Sequence, residues 1–126
     1  VLHVDRIDHG NRAMEDPELV RRLGASGMTL TVCPLSNLKL CVVKDLVAHP
    51  LPAMLRAGLK ATVNSDDPAY FGGYVADNYV ATFEALPRLD ARHAHALAAN
   101  SFEASFAAPE RKAAWRAALD AAFAAA

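Results

Sequence analysis

The sequence predicts an α/β fold with parallel strands. Three short segments rich in apolar and β-branched residues alternate with stretches of helical pattern, and turn-forming residues follow each of them. Strands joined by helical crossovers run parallel, either in an open sheet or in a (β/α)8 barrel. With 126 residues and 53% apolar content, the chain can bury one core of ordinary size.

The three predicted strands cover residues 4–8, 28–33 and 59–64. His9-Gly10 follows the first strand, Pro34 follows the second, and the run Ser65-Asp66-Asp67-Pro68 follows the third. Glycine permits a tight turn, and the residue before proline avoids helical geometry, so each strand has a defined end. Polar residues therefore collect at the C-terminal ends of the strands, where parallel α/β folds place catalytic groups.

Helix signals fill the intervals. Asp16-Pro17 supplies an N-cap and a first helical residue, and Gly24 and Gly27 bracket the end of that helix. The segment 35–50 is predicted to be a long connection with a helical turn at 43–47. Further helices are predicted over residues 50–57, 75–86, 90–106 and 109–123.

Two details of packing follow from these patterns. Leu97, Phe102 and Phe106 suit one buried face of the helix predicted over 90–106, because residues four apart are neighbours on a helix. Cys33 and Cys41 are eight residues apart, outside any CxxC arrangement, so both are expected to be reduced, small buried hydrophobes.

Charge and hydropathy narrow the class of partner. The chain has 13 basic and 14 acidic residues without a basic block, which gives no support for binding nucleic acid or an anionic membrane. No apolar run approaches the roughly 20 residues needed to cross a bilayer, and no signal-peptide pattern opens the chain. We therefore expect a cytoplasmic protein. The first residue is Val1 rather than Met, so we also expect a piece of a longer protein.

Asp66-Asp67 is the most specific local feature. Adjacent carboxylates repel each other, and a divalent cation relieves that repulsion by taking one of them as a ligand. The same residues could instead form an ordinary acidic turn, in which Asp66 or Asp67 caps backbone N–H groups before Pro68. His9 could act as a metal ligand, a general base or an electrophile, or it could be a hydrogen-bonded structural residue.

The other candidate groups are weaker. Ser36-Asn37 could contact a ligand, although side-chain bonds within its own loop are the simpler interpretation. The glycine-rich aromatic segment 70–74 could be a lid over a flat ring or a packed loop. His93 and His95 resemble a metal pair, but side chains two apart on a helix point in different directions. We therefore assign these two, with His3 and His49, structural or surface positions.

Three motifs taken together resemble one known family. Arg6-Ile7-Asp8-His9-Gly10, Cys33-Pro34-Leu35-Ser36-Asn37 and Asn64-Ser65-Asp66-Asp67-Pro68 are similar to the last three strand-end motifs of the adenosine/adenine deaminases, in the same order. The resemblance covers essentially the whole chain. It implies the C-terminal part of a metal-dependent-hydrolase (β/α)8 TIM barrel, with residues 1–74 forming about strands 6–8 and residues 75–126 forming the terminal helices.

The resemblance also implies roles for individual residues. His9 would orient and polarise a zinc-bound water, Asp66 would ligate zinc and help to take that water's proton, and Asp67 would bind the purine ring near N7. The family's His-x-His pair, its third zinc histidine and its ring-protonating glutamate would lie upstream of Val1. We therefore expect that these 126 residues alone neither bind zinc tightly nor deaminate a purine.

Finer features favour the adenine branch of this family. Asp8 stands before His9 where adenosine deaminases usually carry glycine, and the segment 66–74 is similar to the adenine-specific loop. The expected reaction is hydrolysis of adenine to hypoxanthine and ammonia. The alternatives are adenosine deamination and a non-catalytic binding module derived from the barrel. The complete protein is also expected to be able to form a homo-oligomer.

Overall fold

The computed structural model describes residues 3–125 and has a three-stranded parallel sheet at its centre. The strand order is β1-β2-β3, with Arg6 opposite Thr29 and Leu30 opposite Ala61. The strands are β1 (Arg6–Asp8), β2 (Thr29–Val32) and β3 (Lys60–Val63). The predicted parallel α/β arrangement is confirmed, and each strand is shorter than predicted.

Seven α-helices and two 3-10 turns are present among the described residues. The turns are Asn11–Glu15 and Leu46–Ala48. The helices are α1 (Pro17–Ser26), α2 (Pro34–Lys39), α3 (Leu51–Arg56), α4 (Pro68–Phe71), α5 (Val75–Ala85), α6 (Ala91–Ala104) and α7 (Pro109–Ala124).

Local signals explain the helix ends that the sequence predicts. The Asp16 carboxylate accepts from the backbone N–H groups of Glu18 and Leu19 at the start of α1. Gly27 ends α1 with a φ of 65°, the left-handed conformation that favours glycine. Asp90 caps α6 through the N–H of His93.

The apolar core lies against one face of the sheet, because the buried apolar residues of β2 and β3 are paired in register. Its fully buried apolar side chains come from β2, from β3 and from the helices packed on them: Leu30, Val32, Leu51, Met54, Ala61 and Leu97. The Asn100 side chain of α6 donates to the Ala61 carbonyl of β3, 2.9 Å away, and so fixes α6 against the sheet.

The connection predicted over residues 35–50 is wrong in its first part. Residues 34–39 form α2, because Pro34 fits the first helical position and the buried Asn78 side chain of α5 accepts from the Leu35 N–H. The acceptor that completes this helix comes from 43 residues away in the sequence. The turn predicted at 43–47 forms instead at Leu46–Ala48, where Asp45 caps it.

Three further expectations are corrected. Phe106 lies beyond the end of α6 and is 74% exposed, with the Arg6 guanidinium 4.5 Å from its ring centre, so it is not part of a buried face. Cys41 is exposed, with a φ of 56°, whereas Cys33 is buried as expected. The aromatic segment 70–74 begins inside the single helical turn of α4, not in a loop.

Candidate metal centre

His9 and Asp66 lie together at the C-terminal edge of the sheet. His9 follows β1 and Asp66 follows β3, so they come from the two outer strands. The His9 Nε2 atom is 3.6 Å from the Asp66 Oδ2 atom. The backbone N–H of His9 donates to the Thr31 carbonyl on β2, which ties the turn to the middle strand.

Both residues have a left-handed backbone conformation. The φ angle is 58° at His9 and 57° at Asp66, and neither residue is glycine. Such a conformation costs on the order of 1 kcal/mol or more, and it persists only where the surroundings impose it. Gly10 also has a positive φ, and a Cβ there would lie 2.8 Å from a methyl carbon of Leu30. The turn after β1 is thus fixed closely onto the core.

Cys33 completes a group of three possible metal ligands. One donor atom from each of His9, Cys33 and Asp66 lies within 4.8 Å of the others. Burial raises the pKa of the Cys33 thiol to about 12, and the negative charges of Asp66 and Asp8 act in the same direction. The thiol is therefore protonated near neutral pH, and its proton must leave before sulfur can bind a cation.

Ser36 makes the shortest polar contact of the centre. Its Oγ atom, on α2, donates to Asp66 Oδ2 at 2.7 Å, and the Ser36 residue is fully buried. This contact differs from the bonds within its own loop that the sequence favours.

The centre opens into a cavity of about 360 Å³. Its lining is mostly polar and comes from the ends of all three strands: Arg6, Asp8, His9, Thr31, Cys33, Asn64, Ser65, Asp66 and Val75. Thr31 Oγ1 donates to Asp8 Oδ1 at 2.8 Å, so the wall beside His9 carries an ordered carboxylate. A larger groove of about 490 Å³ lies elsewhere, near Arg56 and Arg88, and its lining contains no carboxylate.

The residues present fit a divalent cation. Nitrogen, oxygen and sulfur donors of this kind bind Zn²⁺. The Nδ1 atom of His9 is buried and has no hydrogen-bond partner among residues 3–125, an arrangement that is costly unless a further group satisfies it. A carboxylate, a thiol and an imidazole with one unpaired buried nitrogen thus lie together.

Asp67 points to a different role from that of Asp66. It is exposed and does not line the cavity, and its Oδ1 atom accepts from the Tyr70 N–H at 3.0 Å to cap α4. The acidic-turn interpretation is therefore correct for Asp67. A carboxylate has two oxygens, so capping by Oδ1 leaves Oδ2 able to accept another hydrogen bond.

A buried polar network beneath the centre was not anticipated from the sequence. The Asn37 Oδ1 atom accepts from Asn11 Nδ2 at 2.6 Å and lies 3.1 Å from His49 Nε2. Because His49 Nδ1 accepts from the Leu51 N–H, the ring proton resides on Nε2. Burial lowers the pKa of His49 to about 4. No local pattern pairs these residues with one another, since only the fold brings them together.

The remaining histidines and aromatic residues lie apart from the cavity. His93 contacts Asp90 and His95 contacts Asp120, so the two imidazoles of α6 use separate partners. His3 is exposed. Tyr70 and Tyr74 are 78% and 73% exposed, so neither is buried, although the Tyr70 ring makes an edge contact with the Phe71 ring. No helix among the described residues is both long enough and apolar enough to cross a membrane.

Comparison with known proteins shows which proteins this chain is similar to. The chain is 64% identical over 113 residues to adenine deaminase of Rhodospirillum rubrum, covering 90% of this chain and 34% of that protein. The crystal structure of adenine deaminase from Arthrobacter aurescens superposes with a TM-score of 0.91 and 52% identity, over 95% of this chain and 36% of that one.

A third relative was solved with a metal. An amidohydrolase from Burkhoderia ambifaria, with bound Zn, superposes with a TM-score of 0.83 and 30% identity, over 97% of this chain and 34% of that one. The chain therefore spans about a third of the length of the relatives it matches. The sequence model of the adenosine deaminase family matches residues 1–122. This chain belongs to the adenosine deaminase family.

Proposed function

We propose that this chain is the C-terminal third of a zinc-dependent purine deaminase that hydrolyses adenine to hypoxanthine and ammonia. The proposal rests on one observation. His9 and Asp66 follow two different strands, and their Nε2 and Oδ2 atoms lie 3.6 Å apart in a polar cavity. In the complete protein, residues 1–74 supply the last three βα units of a (β/α)8 barrel. Residues 75–126 supply the terminal helices.

The proposed roles of the residues follow from their chemistry. Asp66 binds the cation and accepts a proton from the attacking water, because a carboxylate can do both. His9 orients that water through an imidazole nitrogen. Asp67 accepts a hydrogen bond from the purine ring through the oxygen that is not capping α4. Zinc, when bound, lowers the pKa of water to about 7 and so supplies hydroxide at neutral pH.

The proposed reaction is a hydrolysis, so it needs no oxidant or reductant. Water adds at C6 of the purine, the bond from C6 to the exocyclic nitrogen breaks, and that nitrogen leaves as ammonia with the transferred protons. The substrate is neutral and planar, which suits a cavity whose charged groups are already paired by His9, Ser36 and Thr31.

Adenine is proposed over adenosine on two grounds. The relatives at 64% and 52% identity are named adenine deaminases. Asp8 stands beside the catalytic histidine and is held by Thr31, so a carboxylate occupies part of the cavity wall. The Asp8 carboxylate at that point leaves less room for the ribose of a nucleoside. Three further predictions belong to the same proposal. The partner is a small-molecule purine substrate, the location is cytoplasmic, and the complete protein can form a homo-oligomer.

Kinetics on the complete protein test this function. The full-length enzyme, loaded with zinc, is expected to turn over adenine faster than adenosine. Asp66→Asn and His9→Gln are each expected to lower kcat/KM by at least about 100-fold, since each removes a proton-transfer or orienting group. Asp5→Asn, at an exposed position, is the matched control and should keep wild-type kinetics. Faster turnover of adenosine would reject the adenine assignment, and no turnover of either purine would reject the deaminase.

A further inference from the structure

We infer that Ser36 is the positioning residue for the Asp66 carboxylate, acting through a partly buried hydrogen bond before any cation arrives. The inference rests on the proposed function, because it assigns Asp66 to the metal centre. Ser36 would contact neither the substrate nor the cation. Its effect is to hold the carboxylate in the orientation that faces His9.

The contact itself is strong and specific. Ser36 Oγ lies 2.7 Å from Asp66 Oδ2, and the same oxygen lies 3.6 Å from His9 Nε2. A hydroxyl that donates to an ionised carboxylate makes a bond about twice as strong as a neutral one. The Asp66 side chain is 27% exposed although the residue as a whole is exposed, so the hydrogen bond is partly shielded from water. The serine hydroxyl thus sets which way the carboxylate turns.

Asp66 needs such a partner because its own strand does not hold it. The residue lies beyond the last paired residue of β3, Val63, in a left-handed conformation. The sheet therefore fixes neither its backbone nor its side chain directly. The hydrogen bond from Ser36 joins residues 30 positions apart in the sequence and links Asp66 to helix α2, which other contacts hold in place.

Helix α2, which carries Ser36, is anchored at its start by α5. The fully buried Asn78 accepts from the Leu35 N–H at 3.0 Å and donates to the Tyr74 carbonyl at 3.0 Å. Gly73 lies against the same helix, because a Cβ at that position would be 2.8 Å from Leu35 Cδ1. These contacts fix the residue that immediately precedes Ser36.

The residue that follows Ser36 is anchored as well. Asn37 is 2% exposed, and its side-chain oxygen binds Asn11 while its backbone carbonyl accepts from the Val42 N–H at 2.9 Å. Asn11 belongs to the turn that follows His9 and Gly10. The helix that orients Asp66 is therefore joined to the segment that positions His9, and the two sides of the centre share one support.

Metal affinity of the full-length protein tests the inference. We would prepare metal-free wild type and Ser36→Ala, and measure Zn²⁺ binding by competition with a chromophoric chelator. Loss of a group that orients a ligand typically weakens metal binding by about 10- to 100-fold, and we expect a loss in that range. Helix α2 should remain folded, since alanine has a higher helix propensity than serine. Ser101→Ala, which removes a hydroxyl bonded only within α6, is the matched control.

Three further measurements separate positioning from packing. Ser36→Thr keeps the hydroxyl and should bind Zn²⁺ within about threefold of wild type. At saturating Zn²⁺, Ser36→Ala should lower kcat while KM for adenine stays within about twofold, because the substrate contacts are intact. In an Asp66→Ala background, Ser36→Ala should weaken Zn²⁺ binding no further, since its partner is gone.

Each outcome decides the inference. Equal Zn²⁺ affinity in Ser36→Ala and Ser101→Ala would overturn it. Equal losses in Ser36→Ala and Ser36→Thr would also overturn it, because they would assign the effect to packing and not to the hydroxyl. A wild-type protein that binds no Zn²⁺ and turns over no purine would instead reject the proposed function on which the inference rests.

Discussion

Individual residues at the metal centre have unusual backbone conformations. His9 and Asp66 both adopt the left-handed region without being glycine; His9 directly follows β1, and Asp66 follows the end of β3 after Asn64 and Ser65. The turns they form direct both side chains into one cavity instead of along the strands. Since these conformations are costly for residues with a Cβ, the surrounding contacts must stabilise them. Gly10 packs on Leu30 and supports the turn at His9, and the hydrogen bond from Ser36 supports Asp66.

His49 gives the protein a predictable dependence on pH. Its side chain is neutral in the folded state because burial lowers its pKa from 6.5 to about 4. The unfolded chain therefore takes up a proton between these two values, and the folded state does not. Stability is complete above about pH 6.5 and falls as the pH drops towards about 4, by at most about 3 kcal/mol.

Urea unfolding of the metal-free protein between about pH 7.5 and about pH 4.5 measures this effect. His49→Gln is expected to be less stable near neutral pH and to lose less stability on acidification than wild type. His3→Gln, at an exposed position, should keep the wild-type pH dependence. A His49→Gln protein with an unchanged slope would show that other groups cause the acid sensitivity.

At the scale of elements, α2 depends on contacts distant in sequence. It has six residues, lacks a side-chain cap of its own and begins after Cys33. Isolated helices of this length are unstable in water, so tertiary contacts must hold it. Asn78 supplies the missing acceptor at its first turn. The segment between β2 and α3 could not be assigned correctly from local signals for this reason.

Asn78→Ala is therefore expected to destabilise the fold. It leaves the Leu35 N–H without its acceptor, which costs about 1–3 kcal/mol for an unsatisfied buried group, whereas the Tyr74 carbonyl keeps the backbone N–H of residue 78. The free energy of unfolding measured in urea checks this expectation. Val80→Ala, an exposed position on the same helix, should change it by less than about 0.5 kcal/mol. Equal effects of the two changes would remove the proposed role of Asn78 as the anchor of α2.

The terminal helices form a different kind of element. The α6–α7 pair is joined on its surface by His95 and Asp120, whose side chains are 2.6 Å apart, and by the Phe102–Trp115 ring contact. The hydrogen bond from His95 lowers the pKa of the Asp120 carboxyl, with Arg116 acting in the same direction. The carboxyl is exposed, so this network aligns α7 on α6 more than it stabilises the core.

At the scale of the whole molecule, the described residues form a sheet with two outer strands, β1 and β3. An outer strand presents unpaired backbone groups, and several large apolar side chains are exposed as well, among them Val47, Phe106 and Tyr70. The proposed barrel would pair both strands and cover part of this surface. The cavity would then be closed by segments that the present chain does not contain.

We therefore expect the 126-residue chain, expressed alone, to associate or aggregate and to retain no zinc. Catalytic zinc takes three or more protein ligands, and Asp66 supplies one of them in the proposed site. Sedimentation of the isolated chain and metal analysis after dialysis against a weak chelator check the two expectations. The full-length protein under the same conditions is the control. A monomeric isolated chain that keeps one equivalent of zinc would contradict the proposed barrel and its missing ligands.

The sequence by itself determined the features that depend on neighbouring residues. Local patterns predict the turns that follow the strands, the capped start of α1 at Asp16 and the parallel direction of the strands, although each strand ends up shorter than predicted. The three motifs also place polar residues at one edge of the sheet. Short-range chemistry is sufficient for these features, because turns and caps involve residues only a few positions apart.

Only the tertiary structure decided which of those polar residues meet. The contacts of Ser36 with Asp66, of Asn37 with Asn11 and of Asn78 with Leu35 join residues 26 to 43 positions apart. No local pattern specifies such partners, since their hydrogen bonds exist only after the strands have paired and the helices have packed. The same reason explains why Cys41 and Phe106 are exposed: their environment depends on what lies beside them in space, not on their own apolar character.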